Sequence, residues 1–298
     1  MPSGVVLGVA TAISWGTSDF IARFAIRTSG VVRALFGVQV WGALLLTILL
    51  FFARDWGHLL DGSGWPPWAW GIVAGSINTG AMLALYRAFS VGKMAVVAPI
   101  SASYPALTVL LSTLSGERFP LYRALGILAA LAGVILVAAG EKSPQAMATS
   151  PATEPQNPVR NSTGILWALA AALGFGMLFW LLGTRIIPRT GALATIWMIR
   201  VTGSFITLAI LLAQRTSLRV KNKRTSAQIY SMALFDTAAF TLSNLGMRVE
   251  QVAVVSVLGS LYGAVTVVLS ALFLRERIAA LQWLGIVSIF SGIILINR

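Results

Sequence analysis

The sequence predicts an all-α integral membrane protein of ten transmembrane helices, built as two inverted five-helix repeats. Three observations lead there. Hydrophobic residues make up 57% of the 298 positions and charged residues only 10%, where soluble domains carry about 25% charged residues. Apolar runs of roughly twenty residues, long enough to cross a hydrocarbon core of about 30 Å as helices, recur along the whole chain. The chain is also internally duplicated. "AVVAPISASYPALTVLLS" from residue 95 matches "AVVSVLGSLYGAVTVVLS" from 253, and "GERFPLYRALGILAALAGVIL" from 116 answers "RERIAALQWLGIVSIFSGIIL" from 275. A unit with an odd number of spans must insert its second copy upside down, the plan of many alternating-access carriers.

Read against charges, Gly and Pro, the apolar runs place spans near 4–24, 31–53, 67–88, 93–114 and 121–139. The second set falls near 164–184, 191–213, 227–247, 251–273 and 278–297. Residues 1–140 thus form the first repeat and 163–298 the second. The stretch 141–162 between them, rich in Pro, Ser, Thr and Ala, reads as a flexible linker. The first run lacks a basic leader and a cleavage site and is expected to be retained as a span. Pro99 and Pro105 inside span four free backbone carbonyls and predict a bent or locally unwound helix there. Its counterpart, span nine, has Gly259 and Gly263 but no proline. Gly126 and Gly133 mark a close-packing face. Glu117 and Glu276, equivalent in the repeat, stand at the ends of spans four and nine and are expected to serve structural ends.

The chemistry the chain lacks is informative. With no cysteine, disulfides, thiolate catalysis and Cys-ligated metals are excluded. The single His58 sits in the polar loop "RDWGHLLDGSG" with no second His for a metal site or a triad. No Gly-rich phosphate-cradling motif is present. An enzyme is therefore not expected, nor a metal or a cofactor. The net charge of +13 would suggest nucleic acid in a soluble protein. Here Lys and Arg sit mostly between spans, where lipid headgroups and topology explain them, so nucleic acid is not an expected partner.

Polar residues inside the spans carry the functional signal. Asp236 interrupts "SMALFDTAAFTLSNLG" in span eight, and the repeat places it on Asn78 in span three, with Thr237 on Thr79. A mid-membrane carboxylate facing lipid costs roughly 2.5–3.5 kcal/mol even on lenient scales. It is expected to face the interior, as a structural bond or as a substrate or proton site. Arg200, near the middle of span seven, is its candidate partner, or a ligand for an anionic substrate group. The repeat puts Gln39 in the equivalent place of span two. Asp19, with Arg23 four residues on, reads either as an ordinary ion pair or as a gating or proton-coupling residue. Trp15 and Gly16 match Phe175 and Gly176, which suggests close packing beside an aromatic wall. Tyr104 and Tyr262, also equivalent, offer mid-span hydroxyls.

The duplicated segments "YPALTVLLSTLSGERFPLYRALGILAALAGVIL" and "LYGAVTVVLSALFLRERIAALQWLGIVSIFSGIIL" resemble the end of the EamA domain of the drug/metabolite transporter superfamily. "GVVLGVATAISWGTSDFIARFA" and "GILWALAAALGFGMLF" resemble its beginning. The resemblance implies a ten-helix carrier of small, amino-acid-like or other polar or amphipathic metabolites, exporting them across a prokaryotic cytoplasmic membrane. It implies a cavity lined by Trp15, Asp19, Asn78, Tyr104, Phe175, Asp236, Asn244 and Tyr262. Arg200 looks like the arginine often found in the second helix of the unit, a pattern from which Gln39 departs. The expected partners are a small-molecule substrate, membrane lipids and a coupling proton, in a monomer or homodimer. The odd-numbered loops hold most of the Lys and Arg, which favours termini outside, whereas the resemblance implies termini inside. Two other functions stay open: flipping of a lipid or lipid-linked sugar, and a non-transporting receptor or assembly role. The latter predicts a packed centre with Arg200 and Asp236 locked together.

Overall fold

A computed structural model describes residues 4–91, 100–101, 103–139, 158–220, 222–274 and 280–296, and the regular elements in them are helices. In order these are α1 (Gly4–Ser29), α2 (Val31–Ala53), α3 (Pro66–Val91), α4 (Tyr104–Leu114) and α5 (Leu121–Ala139). There follow α6 (Pro158–Leu181), α7 (Ala192–Ala213), α8 (Lys223–Val249), α9 (Val252–Gly259), α10 (Tyr262–Leu274) and α11 (Ala280–Ile296). Five stretches are long and apolar enough to cross a membrane unaided: Gly4–Ile26, Val31–Ala53, Pro66–Ala88, Thr163–Thr190 and Ala192–Ala213. The protein is therefore an all-α, multi-pass membrane protein.

Helix α8 is long enough, at 27 residues or roughly 40 Å, but its polar content keeps it out of that group. Thr237, Ser243 and Asn244 are buried, so the polar side chains that dilute its apolar character are sheltered by protein. The observed α1 runs past its predicted end at 24, because arginines do not break a helix. Gly30, at φ 80°, does.

Predicted span nine is two helices. After α9, the Ser260 amide reaches Ser256 O at 3.0 Å and the Leu261 amide reaches Leu258 O at 3.2 Å, before α10 restarts at Tyr262. Helix α4 likewise starts at Tyr104, after a turn at Ser103, with Pro105 in its first turn. Both restarts fall at the equivalent tyrosine, yet only one has a proline beside it. The expected break at Pro105 is present in α4, and the second copy breaks without a proline; Pro99 itself lies outside the described residues. What the two sites share is a facing glycine. A Cβ on Gly16 would sit 2.8 Å from Tyr262 O, and one on Gly176 2.8 Å from Tyr104 O. Any other residue would push the broken helix away.

Beyond Leu181, α6 continues through a π-helical turn, Leu182–Ile186, into Ile187–Thr190. The repeat explains it. Gly16 and Gly176 are 160 positions apart, whereas Ser29 and Thr190, each bonded to the carbonyl four residues back and followed by a positive-φ glycine, are 161 apart. The second copy holds one extra residue in this helix, and a wide π turn absorbs it. Pro188 follows immediately and would otherwise press its ring on the Thr184 carbonyl.

Helices α1 and α8 pack together, as do α6 and α3; α2 packs along α7, and α5 along α11. The last pair meets at glycines in both directions: Gly133 lies on the Gly285 carbonyl and Gly292 on that of Gly126. At one end of the bundle Arg123 of α5 pairs with Glu250 at 2.9 Å. Glu117 Oε1 accepts the Val252 amide at 3.3 Å, so this acid caps the first turn of α9. Its repeat partner Glu276 lies outside the described residues.

Candidate functional site

Four helices deliver polar groups to the middle of the bundle. Arg200 of α7 and Asp236 of α8 form an ion pair, Nη2 to Oδ2 at 2.5 Å. The other carboxylate oxygen accepts the Trp15 indole N–H from α1 at 3.0 Å. Arg200 Nη1 also donates to Gln39 Oε1 of α2 at 3.1 Å, and its guanidinium lies 5.2 Å from the centre of the Phe240 ring. Arg200 is only 1% exposed, so the Asp236 charge compensates it where water cannot. The side chain of Asp236 keeps 15% exposure.

Glycine makes the room. A Cβ on Gly42 would come within 2.9 Å of Arg200 Nε and 2.8 Å of Thr237 Oγ1. In the other half a Cβ on Gly203 would strike the Gln39 amide and lie 3.0 Å from Thr79 Oγ1. Gly42 and Gly203 occupy equivalent places three residues after Gln39 and Arg200. Thr79 and Thr237 are equivalent too. Asn78, which matches Asp236, is buried, and its Oδ1 has no hydrogen-bond partner among the described residues. Phe175 stands where Trp15 stands in the first copy and has no N–H to offer.

An aromatic wall crosses the centre. Trp15 meets Phe240 and Phe179 edge-on at 5.1 and 5.7 Å. Tyr104 packs on Phe179 at 5.1 Å and on Phe175 at 6.1 Å, and its hydroxyl donates to Ser256 O at 3.3 Å. Gly259, expected as a hinge, lies against Trp15, a Cβ there being 3.2 Å from the indole.

Asp19 sits one turn after Trp15 on the same face of α1, whose orientation Ser18 fixes by donating to Met232 O at 3.3 Å. Asp19 is exposed yet within electrostatic reach of Asp236, Tyr86 and Tyr262. A Cβ on Gly263 would meet nothing within 4 Å. The Arg23 side chain is outside the described set, so its expected pair with Asp19 stays an expectation.

Trp15, Asp19, Tyr104, Phe175, Arg200, Asp236 and Tyr262 thus converge on one region. Asn244 does not join them. It lies eight residues from Asp236, about 12 Å along the helix, is buried, and donates to the Ala192 carbonyl at 3.1 Å. Tyr86 lies within electrostatic reach of both carboxylates and was not expected from the sequence. A signal existed, since the offset of 158 that joins Asn78 to Asp236 also joins Tyr86 to Asn244. No group of three or more His, Cys, Asp or Glu able to hold a metal occurs among the described residues.

A model of the EamA-like transporter family matches residues 2–139 and again 162–298. The chain belongs to that family. Its members are transporters, and this chain is not an enzyme. An uncharacterized protein of Methanocaldococcus jannaschii is 26% identical over 138 residues, 46% of this chain but 97% of that relative. A crystal structure of a protein superposes with a TM-score of 0.74 at 18% identity, covering 98% of this chain and 95% of the other. At that identity the likeness speaks for the EamA-like chain's fold alone.

Proposed function

We propose that this EamA-like protein is a secondary transporter that moves small polar or amphipathic, amino-acid-like solutes outward across a prokaryotic cytoplasmic membrane. Its architecture is ten spans in two inverted five-helix units, 1–140 and 163–298, joined by the 141–162 linker. Reciprocal contacts support that plan. Equivalent residues such as Gln39 and Arg200 touch directly, as residues lying on a pseudo-two-fold axis do. The size of the archaeal relative, about one unit, points the same way.

The observation that carries the function is the open carboxylate Asp19 one turn from the Trp15–Asp236–Arg200 cluster, with the aromatic wall behind it. An exposed carboxylate one turn from a buried charged cluster is what alternating access needs at one stage of its cycle. The locked Arg200–Asp236 pair is what a non-transporting protein would also have. Such a protein should be packed around the pair, and the exposure of Asp19 argues against that. A proton exchanging at Asp19 or Asp236 would supply the coupling.

Flux into proteoliposomes tests the proposal. Amino acids, amines, nucleosides and sugars are offered with and without a pH gradient. Uptake of one class by wild type, lost in D236N and in the charge-neutral R200Q/D236N, is the expected result. Uptake of none, or uptake unaffected by both variants, refutes it. A pH gradient that leaves the D19N/D236N flux equal to that of wild type removes the proton from the mechanism.

A further inference from the structure

A groove runs down the outside of the bundle between α2 and the segment that precedes α8. Its floor is one face of α2: Arg33, Gly37, Val40 and Leu44, spaced three or four residues apart and spanning about 16 Å along the helix. Leu218 and Val220 close its other side. Ser217 and Arg219, which alternate with them in sequence, are exposed. Gly37 deepens the groove, since a Cβ there would strike Ile229. Trp41 and Tyr230 meet edge-on at 5.4 Å beside it.

The two ends of this groove differ in chemistry. Arg33 stands in the first turn of α2, at the membrane boundary, where its Nε donates to Ser217 O at 2.7 Å and Nη1 to Ser29 O at 3.0 Å. Those bonds hold a cation at the mouth. Exposed Arg215, Arg219 and Arg224 stand on the adjoining segment, and 211–235 contains no Asp or Glu. Leu44, at the other end, lies deep in the hydrocarbon region. A basic mouth above an apolar slot matches a phospholipid: headgroup at the arginines, acyl chain along α2. Acyl chains alone would fill the slot without preference, but the cations favour a negative headgroup.

We propose that this groove is a selective site for an anionic phospholipid. The test is native mass spectrometry of the full-length protein released from nanodiscs. These hold equal amounts of phosphatidylglycerol and phosphatidylcholine with the same acyl chains. Wild type is expected to retain phosphatidylglycerol preferentially. R219Q/R224Q, whose side chains are exposed, should cut the preference about fivefold for each arginine that faces the headgroup. R33Q should cut it as well, and R54Q, at the far end of α2, should leave it unchanged. Inorganic phosphate should not displace the lipid. Equal retention of both lipids by wild type overturns the proposal. So does a preference that survives both R33Q and R219Q/R224Q, or one that phosphate abolishes, which would mark a plain anion site.

Discussion

The two halves of this molecule place different chemistry on the same frame. In the second, α7 and α8 bring Arg200 and Asp236 into an ion pair, and Trp15 of α1 donates to the same carboxylate. In the first, the equivalent positions hold Gln39 and Asn78, and the counterpart of Trp15 is Phe175 on α6. There the would-be cluster is neutral, and Asn78 Oδ1 is left without a donor among the described residues. Both halves keep the glycine that admits the long polar side chain, Gly42 for Arg200 and Gly203 for Gln39. Both copies thus make room for a long polar side chain, and only one of them carries charge.

That contrast can be broken deliberately. The largest effect is expected from R200Q, which gives α7 the residue of α2 but strands the Asp236 carboxylate. It should cost about 3–5 kcal/mol, seen as a sharp fall in Tm in detergent. R200Q/D236N, which makes the second half as neutral as the first, should recover most of that loss while remaining inactive. Recovery without activity would separate the structural part of the pair from its function.

W15F copies Phe175 into the first helix and removes the indole donor to Asp236. A bond to a charged acceptor is worth about 2 kcal/mol, so a moderate drop in thermal stability is expected, and none if the carboxylate finds water instead. The reverse exchange, F175W, supplies a donor where Asn78 Oδ1 lacks one. It should stabilise by about 1 kcal/mol; a loss would mean that the indole cannot reach.

The smallest effect belongs to the loops. The first half joins α2 to α3 through a structured acidic turn, whereas the second uses the basic 214–222 stretch. In that turn the Ser63 hydroxyl, then His58 and the Ser63 amide, lower the Asp61 carboxyl from its ordinary 3.8 to about 2. A depressed acid contributes stability above its unfolded value and loses it as pH falls through the folded one. The slight stability advantage of wild type over D61N should therefore be constant above about pH 5 and vanish toward pH 2. A difference that persists there would assign it to packing.

Much of this was readable from the residues. Asp236 and Arg200 are conspicuous because a charge amid apolar spans must be paired or hydrated, and the repeat identified their neutral counterparts. Helix breaks were harder. Pro99 and Pro105 suggested a bend in one copy only, yet both copies restart at their tyrosine, because the close approach to Gly16 and Gly176 is a tertiary contact. The π turn was legible only by tracking where the repeat offset changes from 160 to 161. Tyr86 was missed because its counterpart, Asn244, is a different residue bonded elsewhere.

The most direct test of the charged centre as a transport site is ligand-induced thermal stabilisation of the purified protein. Amino acids, amines, nucleosides, sugars and lipid-linked precursors are compared on wild type and on R200Q/D236N. A bound ligand raises apparent stability by mass action, about 2.7 kcal/mol at a hundredfold excess over Kd. The expected result is one class that stabilises wild type and leaves the neutral variant unmoved. A ligand that stabilises both equally would contradict a site at Asp236, and a panel that stabilises neither well-folded protein would contradict small-solute transport itself.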